Sequence, residues 1–209
     1  MRILIADDHA VVRRGVREIL TEAFPSAEFG EAQDCQEVFH QVRKQDWDIV
    51  VLDITMPGTG GLEALKELKS SRPELPVLVL SIHPEDQFAV RCMKAGASGY
   101  ITKEKAPHEL TEAIKKIVAG GKYISDSLAE QLAIYVAGDE TAMPHEALSD
   151  HEFQVMRMIA SGKTVTEIGG ELSLSVKTIS TYRARVLDKM RMKTNAELTR
   201  YAIENKLVI

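Results

Sequence analysis

The sequence predicts an α/β unit built on a parallel sheet, followed by a smaller all-helical unit. Three observations carry this reading. Short apolar runs at 3–6, 49–52, 77–80 and 99–102 alternate with amphipathic stretches of helical length, the pattern of β-α-β units. Past residue 148 the runs stop and helix-length segments follow one another, two of them opened by capping boxes. Charge divides at the same place. Residues 1–144 carry 16 Lys/Arg against 23 Asp/Glu, so −7, and residues 145–209 carry 10 against 8, so +2.

Taken in order, the chain opens on a strand over 2–6 and a helix over 10–23. A more polar strand over 28–31 belongs nearer a sheet edge, and a helix follows over 35–44. The unbroken apolar run at 49–52 makes 48–52 a central strand, since only a strand covered on both faces has no polar alternation. Pro57, Gly58, Gly60 and Gly61 set a loop over 56–61. A helix over 62–71 stops at Pro73 and Pro76 and gives way to a strand over 77–80. Pro84 suits the first turn of a helix reaching Ala95. Gly96 and Gly99 bracket the turn into a strand over 99–102, and Pro107 opens a helix ending before Gly120 and Gly121. These elements make a first domain over 1–120.

Residues 121–144 read as a partly helical linker: Leu128, Leu132 and Val136 recur at helical spacing within 127–136, and 138–144 is loop. The second domain spans 145–209. Ser149 with Glu152, and Thr164 with Glu167, form capping boxes for helices over 150–161 and 164–172. A turn at 173–175 leads to a helix over 176–190, and a fourth covers 194–205. Two helices joined by a short turn, the second carrying Lys177, Arg183, Arg185 and Lys189, form a helix-turn-helix. Ile179, Val186 and Met190 are spaced for its core side. In the fourth helix Leu198, Tyr201 and Ala202 form either an exposed pairing face or a stripe packed within their own domain.

The totals exclude several classes. An apolar content of 44% is ordinary for a globular protein, and no apolar run approaches the roughly 20 residues of a membrane span. The opening residues MRILIADDHA carry acids where a signal peptide has small residues, so the expected location is the cytoplasm, with no membrane partner. Cys35 and Cys92 are far apart and lack metal-ligand spacing, so buried thiols are expected. The histidines form no pair at ligand spacing. Trp47, at the start of the third strand, lies roughly 20 Å from Asp53 at about 3.3 Å per residue and is expected to pack in the core or at its rim.

The chemistry sits where the runs end. Asp7, Asp8, Asp53, Ser81 and Lys103 each close one, and a parallel sheet gathers the carboxyl ends of its strands along one edge. Three carboxylates suit a hard divalent cation, and the ammonium and hydroxyl suit the oxygens of an anion beside it. Such a site can accept a phosphoryl group on a carboxylate.

Those residues also carry a resemblance. The stretches Ile5-Ala6-Asp7-Asp8-His9, Leu52-Asp53-Ile54-Thr55-Met56-Pro57, Leu80-Ser81 and Gly96-Ala97-Ser98-Gly99-Tyr100-Ile101-Thr102-Lys103 resemble the receiver domain of two-component response regulators. The tail, with Leu148-Ser149-Asp150-His151-Glu152 and the segment 168–187, resembles the LuxR-type output domain of the NarL/FixJ group. The resemblance covers nearly the whole chain. It implies a flavodoxin-like, doubly wound five-stranded parallel sheet joined to a four-helix helix-turn-helix domain, and a transcription factor rather than an enzyme. Asp53 is then the phosphoryl acceptor, and Asp8, Asp53 and the Thr55 carbonyl ligate Mg²⁺, with Asp7 acting through water. Lys103 and Ser81 hold phosphate oxygens, and Ser81 and Tyr100 form the switch pair, the tyrosine moving inward as the serine approaches the phosphate. Lys177, Thr178, Ser180, Thr181, Arg183, Ala184 and Arg185 face DNA. The implied partners are a sensor histidine kinase, double-stranded DNA bearing an inverted repeat, RNA polymerase at the promoter, and a second copy of the chain on activation.

Two positions depart from the family pattern. Glu104 stands where receivers have a Pro preceded by a cis bond, and a cis bond before a non-Pro residue costs about 2.5–4 kcal/mol, so the geometry there stays open. Gly169 and Gly170 sit in the scaffold helix, each costing about 0.8–1.0 kcal/mol relative to Ala. Close packing against the recognition helix accounts for Gly169 and simple tolerance for Gly170. Two competing functions stand beside the main one. A haloacid-dehalogenase-type phosphatase uses similar groups, but its nucleophile follows the first strand in a D-x-D motif, where this chain has adjacent Asp7 and Asp8 and no cap insertion. A regulator binding DNA without phosphorylation would not need the acidic pocket.

Overall fold

A computed structural model describes all residues except 57–60, 137–142, 173, 206 and 209. The expected glycine-rich loop at Pro57, Gly58 and Gly60, most of the loop of the linker, and Ser173 of the turn lie outside the described residues. The chain divides into two compact units, Met1–Ala137 and Gly138–Ile209.

The first unit is a five-stranded parallel sheet in the order β2-β1-β3-β4-β5, with β1 (Arg2–Ala6), β2 (Glu28–Ala32), β3 (Ile49–Asp53), β4 (Val77–Ser81) and β5 (Gly99–Thr102). Helices α1 (Ala10–Ala23), α2 (Cys35–Lys44), α3 (Gly61–Ser71), α4 (Glu85–Lys94) and α5 (Ala106–Val118) connect and follow the strands. Strand alternation sorts the core into two layers. Ile3, Ile5, Ile49, Val51, Leu78 and Leu80 join Val16 and Leu20 of α1 and Leu110, Ile114 and Ile117 of α5 in one buried cluster. Leu4, Val50, Leu52 and Val79, of opposite parity, are also fully buried. Both faces of β3 and β4 are therefore dry, which is why those runs show no polar alternation. Polar β2 holds one edge, as its sequence suggests. Cys35 and Cys92 are buried, as expected, and form no disulfide. Trp47 is 8% exposed, its indole N–H donates to the Gln41 carbonyl at 3.1 Å, and its ring lies where a side chain on Gly30 would stand.

The segment after α5 turns back onto this unit. Tyr123 forms a parallel bridge with Gly99, its N–H donates to the Ser98 carbonyl at 2.9 Å, and Lys122 Nζ donates to the Ala97 carbonyl at 3.0 Å. Helix α6 (Asp126–Val136) packs against α4, with Leu128 fully buried and Ser125 Oγ donating to Glu85 Oε2 at 2.5 Å. The helix read from sequence as part of a linker is thus seated on the sheet unit.

The second unit contains a short 3₁₀ turn (Pro144–Ala147) and helices α7 (Asp150–Ala160), α8 (Val165–Glu171), α9 (Val176–Lys189) and α10 (Asn195–Glu204). Both capping boxes form as read, at Ser149 with Glu152 and Thr164 with Glu167. Ser175 caps α9 and Thr194 caps α10 through the N–H groups of Thr178 and Glu197. Helix α7 is the hub, packing against α8, α9 and α10. Ile179, Val186 and Met190 are buried, as their spacing predicts. Of the two readings of the last helix, packing within its own domain is the one that holds. Leu198 and Ala202 are fully buried inside their own unit, and the half-buried Tyr201 places its hydroxyl 2.7 Å from His145 Nδ1. A four-helix unit this small has no other core to give that stripe, so α10 faces inward.

Candidate functional site

The sheet edge assembles the polar groups because each stands at or just past a strand's carboxyl end. Asp7 and Asp8 follow β1, Asp53 ends β3, Ser81 ends β4, and Lys103 follows β5, where its N–H extends the ladder to the Ser81 carbonyl at 2.7 Å. β1 and β3 are neighbours whose chain connections leave in opposite directions, so their ends form the crevice at which such sheets bind ligands.

Lys103 ties the crevice together. Its Nζ lies 2.8 Å from Asp53 Oδ2 and 2.6 Å from Asp7 Oδ2, and its side chain is 15% exposed. Burial works against the ammonium, but Asp53 and Asp7 outweigh it and hold the Lys103 pKa above its usual value. Burial pushes the Asp53 carboxyl above the usual range, although Lys103 pulls the other way. Asp53 is fully buried and Asp7 is 2% exposed. The Thr55 N–H donates to Asp53 Oδ1 at 2.8 Å and fixes its rotamer. No cis peptide occurs among the described residues, so the bond between Lys103 and Glu104 is trans.

The residues fit a divalent cation. Asp7 Oδ2, Asp8 Oδ1 and Thr55 Oγ1 are buried without a well-aligned hydrogen bond; the two carboxylate oxygens have only ion-pair neighbours, Lys103 and His9. Asp7, Asp8, His9 and Asp53 each place one candidate ligand atom within 4.8 Å of all the others. Three carboxylates face one buried ammonium, an excess of negative charge that a hard cation neutralises.

Ser81 is fully buried, and its Oγ accepts from the His83 N–H at 3.1 Å. The Tyr100 hydroxyl donates to the His83 carbonyl at 2.8 Å and also meets the Ser81 side chain. Burial raises the Tyr100 pKa well above its usual value. Tyr100 is 1% exposed, its ring enclosed within the unit.

On α9, Lys177, Ser180, Thr181, Ala184 and Arg185 are exposed at positions i, i+3, i+4, i+7 and i+8, one continuous face. The other two expected contacts differ. Thr178 is half-buried in the N-cap, 2.8 Å from Ser175 Oγ, and Arg183 Nε donates to Asn195 Oδ1 at 2.7 Å. Gly169 explains the helix crossing: a Cβ there would stand 2.8 Å from the Leu174 carbonyl oxygen, whereas one on Gly170 would meet nothing within 4 Å. Lys189 Nζ pairs at 2.6 Å with Glu152, whose carboxylate also closes the α7 capping box.

Sequence reasoning missed three groups around the first site. His9 joins the acidic cluster, and the only available signal was its place beside Asp8. His83 supplies backbone to Ser81 and Tyr100, which no side-chain motif can announce. Arg13 donates from Nη1 to the Asp7 carbonyl at 2.7 Å.

Comparison with known proteins agrees with both units. Residues 3–115 match the response regulator receiver domain, and residues 146–202 match the bacterial regulatory proteins of the luxR family. The chain is 36% identical to the response regulator UvrY of Escherichia coli strain K12 over 208 residues, covering 99% of this chain and 95% of that one. It is also 36% identical to the response regulator GacA of Pseudomonas aeruginosa, over 100% of this chain and 98% of the relative. Among solved structures, RcsB from Salmonella enterica serovar Typhimurium, bound to promoter rprA in the presence of phosphomimetic BeF3-, superposes with a TM-score of 0.63 at 27% identity, covering 96% of this chain and 98% of that one.

Proposed function

The chain belongs to the response regulators that join a receiver domain to a LuxR-type DNA-binding domain, and from that premise we propose that Asp53 is its phosphoryl acceptor and α9 its DNA-reading helix. The observation that carries the reading is Lys103 bridging Asp53 and Asp7 at the crevice between β1 and β3. A carboxylate oxygen of Asp53 attacks the phosphorus of a phosphohistidine on a sensor kinase. The P–N bond breaks, its electron pair returns to the imidazole, and an acyl phosphate forms. Lys103 exchanges its carboxylate partners for a phosphoryl oxygen, and Ser81 turns its hydroxyl from the His83 N–H toward another. Mg²⁺ held by Asp8, Asp53 and the Thr55 carbonyl, with Asp7 acting through water, would offset the repulsion between the incoming phosphoryl group and three carboxylates.

Release of the His83 N–H by Ser81 frees the loop that also holds Tyr100, so the signal leaves the pocket through that backbone without a large ring motion. On the output side, Lys177 and Arg185 supply charge for phosphates or base edges, and Ser180, Thr181 and Ala184 present small surfaces to the major groove. Arg183 acts chiefly by fixing α9 to the start of α10. One helix reads few base pairs, so a pair of chains on an inverted repeat completes the recognition. RNA polymerase is the partner at the promoter, and the cytoplasm is where kinase, DNA and polymerase meet. Incubation with a radiolabelled small phosphodonor and Mg²⁺ tests the centre of the proposal. Wild type is expected to take up label and Asp53→Asn none; uptake by the variant at the wild-type rate would assign the acceptor elsewhere.

A further inference from the structure

The geometry points to Arg13 as the positioning residue that sets the metal-binding carboxylates, acting through the backbone of Asp7. This rests on the acceptor-site reading above. β1 ends at Ala6, and the Asp7 N–H makes the last rung to β2, donating to the Ala32 carbonyl at 3.1 Å. The Asp7 carbonyl is the first past the strand, and Arg13, one helical turn into α1, takes it with Nη1 at 2.7 Å. The same guanidinium donates from Nε to Glu31 Oε2 at 3.2 Å, and Arg17 holds the other oxygen of that carboxylate at 3.1 Å. Burial opposes ionisation of Glu31, but the two arginines outweigh it and keep its pKa below the usual value. The Arg13 side chain is only 14% exposed.

The result is a fork spanning α1, the end of β1 and the end of β2. A planar guanidinium with two fixed donors sets direction as well as charge, which a flexible ammonium does not. Asp7 and Asp8 must hold their side chains toward Asp53 against mutual repulsion, and the peptide joining them is the one Arg13 grips. Groups that orient metal ligands in this way strongly affect affinity.

The test measures Mg²⁺ alone binding to the unphosphorylated full-length protein by calorimetry, beside the Mg²⁺ dependence of label uptake from a small phosphodonor. Arg13→Gln is expected to weaken Mg²⁺ binding about tenfold and raise half-saturating Mg²⁺ equally, with the rate at saturation nearly unchanged. Arg13→Lys is expected to fail to restore binding. Glu31→Gln, which leaves the arginine in place but unanchors it, should shift binding the same way by less. Melting curves taken alongside keep the comparison to folded protein. Wild-type Mg²⁺ affinity in Arg13→Gln, or full rescue by Lys, overturns the inference. Absence of label from wild type itself would instead reject the acceptor-site reading.

Discussion

Replacing Gly169 and Gly170 by Ala, one at a time, measures how closely α8 and α9 must approach. In α8 each replacement gains about 0.8–1.0 kcal/mol of helix propensity, because Ala has less backbone entropy to lose. At Gly170, which is exposed, that gain stands alone, since the added methyl meets nothing within 4 Å. At Gly169 the methyl would stand 2.8 Å from the Leu174 carbonyl oxygen, a backbone atom at the entry to α9 that cannot swing aside. Overpacking of this kind costs about 1–3 kcal/mol. Propensity cancels in the difference between the two variants, leaving about 1–3 kcal/mol for the contact itself. For a domain of this size each kcal/mol is worth roughly 4–8 °C in Tm. The single tryptophan, Trp47, is in the sheet unit, so its fluorescence reports that unit while far-UV circular dichroism adds the helical one. Gly170→Ala is expected to raise the helical transition and Gly169→Ala to lower it, with the Trp47 transition fixed in both. Equal shifts for the two would refute the close-approach argument.

Other outcomes follow from the same geometry. Lys177→Ala or Arg185→Ala should weaken DNA binding while leaving phosphate uptake intact. A residue that contacts only phosphate should lower the salt slope by about one unit, whereas loss of a base contact should relax one position by about 1–3 kcal/mol; unchanged affinity in both would remove this face from the interface. Chelation of Mg²⁺ should stop label uptake and re-addition should restore it, and uptake persisting in chelator would count against the metal site. Burial opposes ionisation of Glu152, but Lys189 and Ser149 outweigh it and place its pKa below 4.5. Its contribution to the helical unit should be complete above pH 4.5 and vanish as pH falls through the depressed folded value. Glu152→Gln should flatten that acid limb in urea titrations, and an unaltered limb would assign the acid sensitivity to other groups.

The strands and the acidic pocket were legible because a run buried on both faces leaves a mark in sequence and because strand ends gather at one edge. The capping boxes were legible because two residues three positions apart suffice to make one. Leu198 and Ala202 were ambiguous in sequence for a physical reason: an apolar stripe on a helix is the same whether its own domain or a partner covers it. Arg13 left no motif, since its partner is a backbone carbonyl and its salt bridge reaches across to β2. The seating of α6 on α4 depends on a turn at 121–125 whose direction no local pattern fixes. Gly169 was readable because a glycine within a helix calls for an explanation that an alanine would not.

The turn after α5 has a consequence for solubility. An edge strand displays unpaired backbone donors and acceptors to which any passing chain can hydrogen-bond. β2 guards one edge with Glu28 and Glu31, but β5, with Tyr100 and Ile101, has no charge of its own within Gly99–Thr102. The Tyr123 bridge to Gly99 and the Lys122 bond to the Ala97 carbonyl cover the start of that second edge from within the same molecule. A receiver severed after Gly120 would lose this cover, along with Leu128 and the Ser125 hydrogen bond to Glu85. It would leave the backbone at Gly99 unpaired on that side. A receiver ending beyond α6 is therefore expected to stay soluble at concentrations where one ending at Gly120 self-associates, a difference that light scattering would read.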